Sequence, residues 1–202
     1  MARKKRPANP IKSKRDVLDI QDYLRYKNKR DYILFLVGIT TGYRAGDLVS
    51  LKARDIRQAI KYGEFVIEEG KKFNNANVRE KNRKARAVVL LPKLEKILKE
   101  YIKDMKDYEY VFKSRKGNNQ HIGVQAVSNI LKEAGEYFGL YNISAHSMRK
   151  TYAYKIYMDT GCDIVAVKEL LGHRSIEETK AYIGLDQEKY QRISNYLNDF
   201  IQ

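Results

Sequence analysis

The chain has 202 residues, enough for one ordinary domain with a hydrophobic core. Forty Lys and Arg against 25 Asp and Glu give a net charge of +15, spread along the chain, and that charge points to a polyanion partner, above all nucleic acid. A single cysteine, Cys162, excludes a disulfide framework and a thiolate metal site, and no apolar run approaches the length of a membrane span. Residues 1–14 are basic, contain Pro7 and Pro10, and read as a flexible arm. No apolar segment follows residues 1–6, so they do not resemble a signal peptide; a cytoplasmic protein without a membrane partner is expected.

Residues 16–25 fit a first helix with Val17, Ile20, Tyr23 and Leu24 inward. Residues 31–41 read as a buried helix, because Ile33 through Val37 are apolar on every side, and Gly42 ends it. Residues 44–52 restart as a helix with Leu48, Val49 and Leu51 apolar. From 61 to 91 the pattern changes. Three β-prone runs, 65–67, 78–81 and 86–91, are punctuated by Gly63, Gly70 and Asn74–Asn75 and predict a small antiparallel sheet of three strands. Pro92 then opens a helix with Leu94, Ile97, Leu98, Tyr101, Ile102 and Met105 at helical spacing. A polar loop at 115–120 precedes an amphipathic helix at 124–138, with Val127, Ile130, Leu131 and Ala134 inward. In the closing segment 187–202, Tyr190, Ile193, Leu197 and Phe200 form one stripe, either a last core helix or a helix lent to a neighbouring subunit. The class is α+β, mainly α-helical with the small three-stranded sheet. No Walker loop, GxGxxG, HExxH or CxxC supports an ATP or zinc site.

Two of the three histidines fall within residues 141–182, each close to an arginine: His146 with Arg149, and His173 with Arg174. A helix from Ala145 places His146 and Arg149 at i and i+3, on one face. His173 follows a helix capped by Gly172, and Tyr182 comes nine residues later. Taken singly, each is explained by a solvated helix face, a cap or a packed tyrosine. Together they suit a phosphate: the guanidinium as a two-pronged clamp, the imidazoles as hydrogen-bond or proton partners, the phenol as nucleophile. Arg44, just after the Gly42 turn and at the start of a helix, is placed to meet an anion, with Asp47 one turn on to hold it. Lys81, at the tip expected between the second and third strands, can reach across a cleft, and Lys84 lies in the same turn.

The succession Thr41-Gly42-Tyr43-Arg44-Ala45-Gly46-Asp47, a hairpin lysine, His146-Ser147-Met148-Arg149, Leu171-Gly172-His173-Arg174-Ser175 and Glu178-Thr179-Lys180-Ala181-Tyr182 resembles the tyrosine recombinase (phage integrase) family. The likeness runs from about residue 14 to the end. It implies a catalytic set of Arg44, Lys81 (or Lys84), His146, Arg149, His173 and Tyr182, with Asp47 in support. Tyr43 stands where a leucine is more usual, a change expected to affect packing rather than chemistry. The resemblance further implies that Tyr182 forms a 3′-phosphotyrosyl link on double-stranded DNA, with no metal and no ATP. It implies a monomer when free and a tetramer on paired sites, cytoplasmic or associated with the nucleoid. The resemblance also sets the expectation that residues 15–202 are the catalytic domain, without the core-binding domain that usually precedes it. A non-catalytic or regulatory DNA-binding descendant is the alternative; retention of the whole catalytic set favours the enzyme.

Overall fold

The computed structural model describes residues 7–67 and 86–184. Helix α1 (Lys14–Lys27) starts at Ser13, whose side chain accepts the Asp16 N–H at 3.3 Å. Asn28 serves two helices: its N–H donates to Leu24 O at 2.8 Å, ending α1, and its side chain accepts the Arg30 N–H at 2.9 Å, starting α2 (Lys29–Thr41). Seven residues of α2 are buried, as the all-apolar run requires, and Gly42 closes the helix in the left-handed conformation at φ 64°. Helix α3 is short, Ala45–Val49, and Arg44 is its N-cap in extended conformation rather than a residue of its first turn. This corrects the expected helix at 44–52.

Helix α4 (Ala53–Tyr62), not among the expected elements, begins where the Asp55 carboxylate accepts the Lys52 N–H at 2.8 Å. Strands β1 (Glu64–Ile67) and β2 (Arg86–Val89) pair antiparallel, with Phe65 opposite Val88. The sheet therefore has two strands among the described residues, not three. The expected strand at 78–81 and its tip, with Lys81 and Lys84, lie outside them. Helix α5 (Pro92–Tyr101) opens on its proline. Beyond its end, Arg57 Nη2 donates to Met105 O at 2.5 Å and to Ile102 O at 3.3 Å, tying the turn after the helix to α4. Helix α6 (Val124–Tyr137) follows, then α7 (Ala145–Asp159), α8 (Ile164–Leu171) and α9 (Ile176–Ile183).

The chain divides into two units, Met1–Tyr152 and Ala153–Gln202, with the boundary inside α7. The first is built round α2: Ile33, Phe35 and Val37 are fully buried in a cluster with Ile20, Leu24, Leu48, Ile56, Leu98, Phe112, Leu131 and Met148. Residues 9–11 of the basic arm lie against this unit. The Asn9 N–H donates to Asn142 O at 3.0 Å and Asn9 Nδ2 donates to Tyr141 O at 3.2 Å. The Ile11 N–H donates to Thr151 Oγ1 at 2.8 Å, and the Ile11 side chain, 3% exposed, joins the core. In the second unit α8 packs against α9. The stripe expected at 187–202 lies outside the described residues. Among the described residues, no helix is long and apolar enough to cross a membrane.

Candidate active site

The first unit carries both arginines. Helix α2 ends on Gly42; Tyr43 then turns into the core, its ring meeting Phe65 edge-on with centroids 6.0 Å apart. That anchor fixes the backbone just before Arg44, which is half-buried at the start of α3, as is Asp47 one turn on. The N-terminus of α7 is tied by Ser147 Oγ, which accepts the Ser144 N–H at 3.0 Å, and by Ser128 Oγ, which accepts the Ala145 N–H at 3.4 Å. His146, in the first turn of α7, is exposed, whereas Arg149 is only 2% exposed. Arg149 Nη1 donates to Gly42 O at 2.7 Å. The structure thus brings the Arg149 guanidinium to the turn that carries Arg44. Lys150, next to it and 7% exposed, has its ammonium pushed below the ordinary lysine range by burial.

The second unit carries His173 and Tyr182. Asp163 caps α8 by accepting the Val165 and Ala166 N–H groups at 2.8 and 3.0 Å, and Gly172 ends the helix in the left-handed conformation. Ser175 Oγ accepts the Glu178 N–H at 3.1 Å, and Glu178 Oε2 accepts the Arg174 N–H at 3.0 Å, so α9 starts only four residues after the glycine. This tight corner sets the His173 and Tyr182 rings edge to face, with centroids 4.9 Å apart. The buried Thr179 hydroxyl lies 3.1 Å from His173 Nδ1 and donates its own proton to Ser175 O at 3.1 Å. Thr179 Oγ1 thus holds the Nδ1 side of the ring, which leaves Nε2 as the nitrogen for outward chemistry.

Of the six expected catalytic residues, Arg44, His146 and Arg149 fall in one unit and His173 and Tyr182 in the other; Lys81, like Lys84, lies outside the described residues. Sequence reasoning missed the residues that orient them. Gly42 O, Thr179 and Tyr43 act through contacts that no linear spacing reveals, although the Ser175…Glu178 pattern does mark the start of α9. Among the described residues, no group of three or more His, Cys, Asp or Glu could hold a metal ion.

Residues 13–189 match the model of the phage integrase family. The chain is 35% identical over 179 residues to a probable integrase/recombinase, YoeC, of Bacillus subtilis, covering 89% of this chain and 91% of the relative. It is 28% identical to a tyrosine recombinase of Pseudothermotoga lettingae (90% of this chain, 59% of the relative) and 30% identical to XerA of Pyrococcus furiosus (76% and 49%). It thus spans nearly all of the first relative and roughly half of the other two. In fold, it resembles the crystal structure of XerA recombinase (TM-score 0.65, 21% identity, 100% of this chain and 67% of that one). A XerH site-specific recombinase bound to its difH substrate is equally similar (TM-score 0.65, 20% identity, 96% and 55%). On the family match and the 35% identity, this chain belongs to the phage integrase family, the tyrosine recombinases, enzymes that break and rejoin DNA.

Proposed function

We propose that this chain is a site-specific recombinase that cleaves and rejoins double-stranded DNA through a 3′-phosphotyrosyl intermediate on Tyr182. The observation that carries the reading is the edge-to-face pairing of Tyr182 with His173 at the corner between α8 and α9. In the forward step the phenolic oxygen bonds to the scissile phosphorus and the bond from phosphorus to the 5′-oxygen breaks. A phenol ionises near pH ~10, so the attack needs a proton acceptor and positive neighbours. His146, exposed at the start of α7, takes the phenolic proton, and Lys81, or Lys84 in the same turn, gives one to the departing 5′-oxygen. Arg44, Arg149 and His173 hold the non-bridging oxygens and stabilise the charge that grows on them, with Asp47 in support of Arg44. Fixed cations and stored bond energy make both a metal and a nucleotide cofactor unnecessary to this scheme. The net charge of +15 suits the DNA backbone. The reading extends to a monomer that becomes a tetramer on paired sites, working on DNA in the cytoplasm or nucleoid.

The test is a nicked suicide duplex carrying a candidate site, from which the 5′-hydroxyl fragment escapes after cleavage. The native chain should form a covalent adduct that survives denaturation. Tyr182→Phe should form none while binding the duplex with unchanged affinity. An adduct on the variant would refute Tyr182 as nucleophile and turn attention to Tyr152 or Tyr190.

A further inference from the structure

We infer that Gly42 is a positioning residue for the strand-cleavage step, a clamp on α2 that sets the orientation of Arg149 and ties it to Arg44. The inference rests on the reading of Arg149 as a phosphate-holding residue. Three observations meet at Gly42. Its carbonyl accepts Arg149 Nη1 at 2.7 Å in a buried setting, so one branch of the guanidinium fork is fixed by backbone. Its φ of +64° lies in the left-handed region, where a side chain is strained. Most tellingly, a Cβ at Gly42 would stand 2.4 Å from Tyr152 Cδ1 and 2.9 Å from Cε1, because the buried Tyr152 ring lies flush on the glycine backbone.

The contact has a second tooth one turn earlier. A Cβ at Gly38 would stand 2.5 Å from Met148 Sδ. Gly38 lies in α2 and Gly42 four residues on at its C-cap, and Met148 and Tyr152 are four apart on α7, so two side chains of one helix seat in two gaps along the other. Seating both fixes rotation and translation along the contact. Arg149 lies between Met148 and Tyr152, and its reach to Gly42 O follows from that register. Arg44 is two residues beyond Gly42, so one backbone turn sets the position of both guanidinium groups. A rotation of α7 that moved Arg149 by ~1 Å would cost on the order of 10²-fold in rate without removing any catalytic group.

The experiment is single-turnover cleavage by the full chain, on an ordinary suicide duplex and on one whose scissile phosphate carries a neutral methyl group in place of one non-bridging oxygen. Gly42→Ala should lose on the order of 10²-fold in cleavage of the ordinary duplex, with DNA affinity unchanged. On the neutral duplex, where less charge develops for Arg149 to hold, the same variant should lose far less. A general structural defect would slow both duplexes equally, and that outcome, or unimpaired cleavage of the ordinary duplex, overturns the proposal. Where Gly42→Ala alone fails to fold, Gly38→Ala, which presses on Met148 of the same α7 contact without a strained φ, carries the same comparison. Arg149→Ala runs alongside: if it cleaves the ordinary duplex normally, the assignment of Arg149 fails, which is a separate result from a failure of Gly42.

Discussion

Replacing Ile11 by alanine should destabilise the first unit by an amount that tells whether the start of the chain is part of its core. The side chain is 3% exposed and belongs to the main apolar cluster, where Ile→Ala costs roughly 2–5 kcal/mol. A central value of about 3 kcal/mol, at roughly 2–4 °C per kcal/mol for a chain of this size, lowers the melting midpoint by roughly 6–12 °C. Thr151→Val, nearly the same shape, leaves the buried Ile11 N–H without its 2.8 Å acceptor and costs about 1–3 kcal/mol. Both changes release the same short segment, so the double variant should lose less than the sum. The assay is urea and thermal unfolding followed by far-ultraviolet circular dichroism. Deletion of residues 1–8, which keeps Asn9 and Ile11, serves as the control that should melt like the native chain. An Ile11→Ala protein that melts with the native one, or a double variant whose losses simply add, refutes the reasoning.

Arg44→Ala should slow cleavage on the order of 10²–10³-fold while weakening DNA binding much less, because its contact strengthens as charge develops on the phosphate; matched losses in single-turnover rate and affinity would make it an ordinary backbone contact. Thr179→Val should remove the hydroxyl partner of His173 Nδ1, which shifts the imidazole signals in nitrogen NMR, and should slow cleavage as well. For Lys150, burial holds the folded-state pKa below its usual value near 10.5, so between those two values the unfolded chain binds more protons and stability rises with pH. Lys150→Met should flatten that rise in urea titrations run from neutral to alkaline pH; an unchanged slope would assign it to other groups.

What could be read in the sequence was local. Helix α2 was legible because an all-apolar run and a terminal glycine need no partner to be recognised, and the Gly172 cap and the Ser175…Glu178 start of α9 follow the same logic. Helix α4 was not, although Ala53, Ile56, Ala59 and Ile60 recur at helical spacing, because two of the four are alanines and the stripe is faint between flanking charges. Arg44 was placed in a helix although it caps one, since caps and first-turn residues share the same neighbours in sequence. The expected site residues showed themselves by motif, while their supports did not: Arg149 and Gly42 are 107 residues apart, and only folding joins them. The sheet was under-determined because the stretch from 61 to 91 alternates weakly, and strand pairing depends on partners the pattern does not name.

The tie between Ile11 and Thr151 spans 140 residues, and that separation orders events during synthesis. At translation rates of ~5–20 residues per second, Ile11 leaves the ribosome roughly 7–28 s before the hydroxyl that will receive its N–H. Closing so long a loop comes at an entropic cost that only the assembled core can offset. The start of this chain therefore cannot complete its docking until α7 has emerged, and the bond that holds it lies two residues from Arg149.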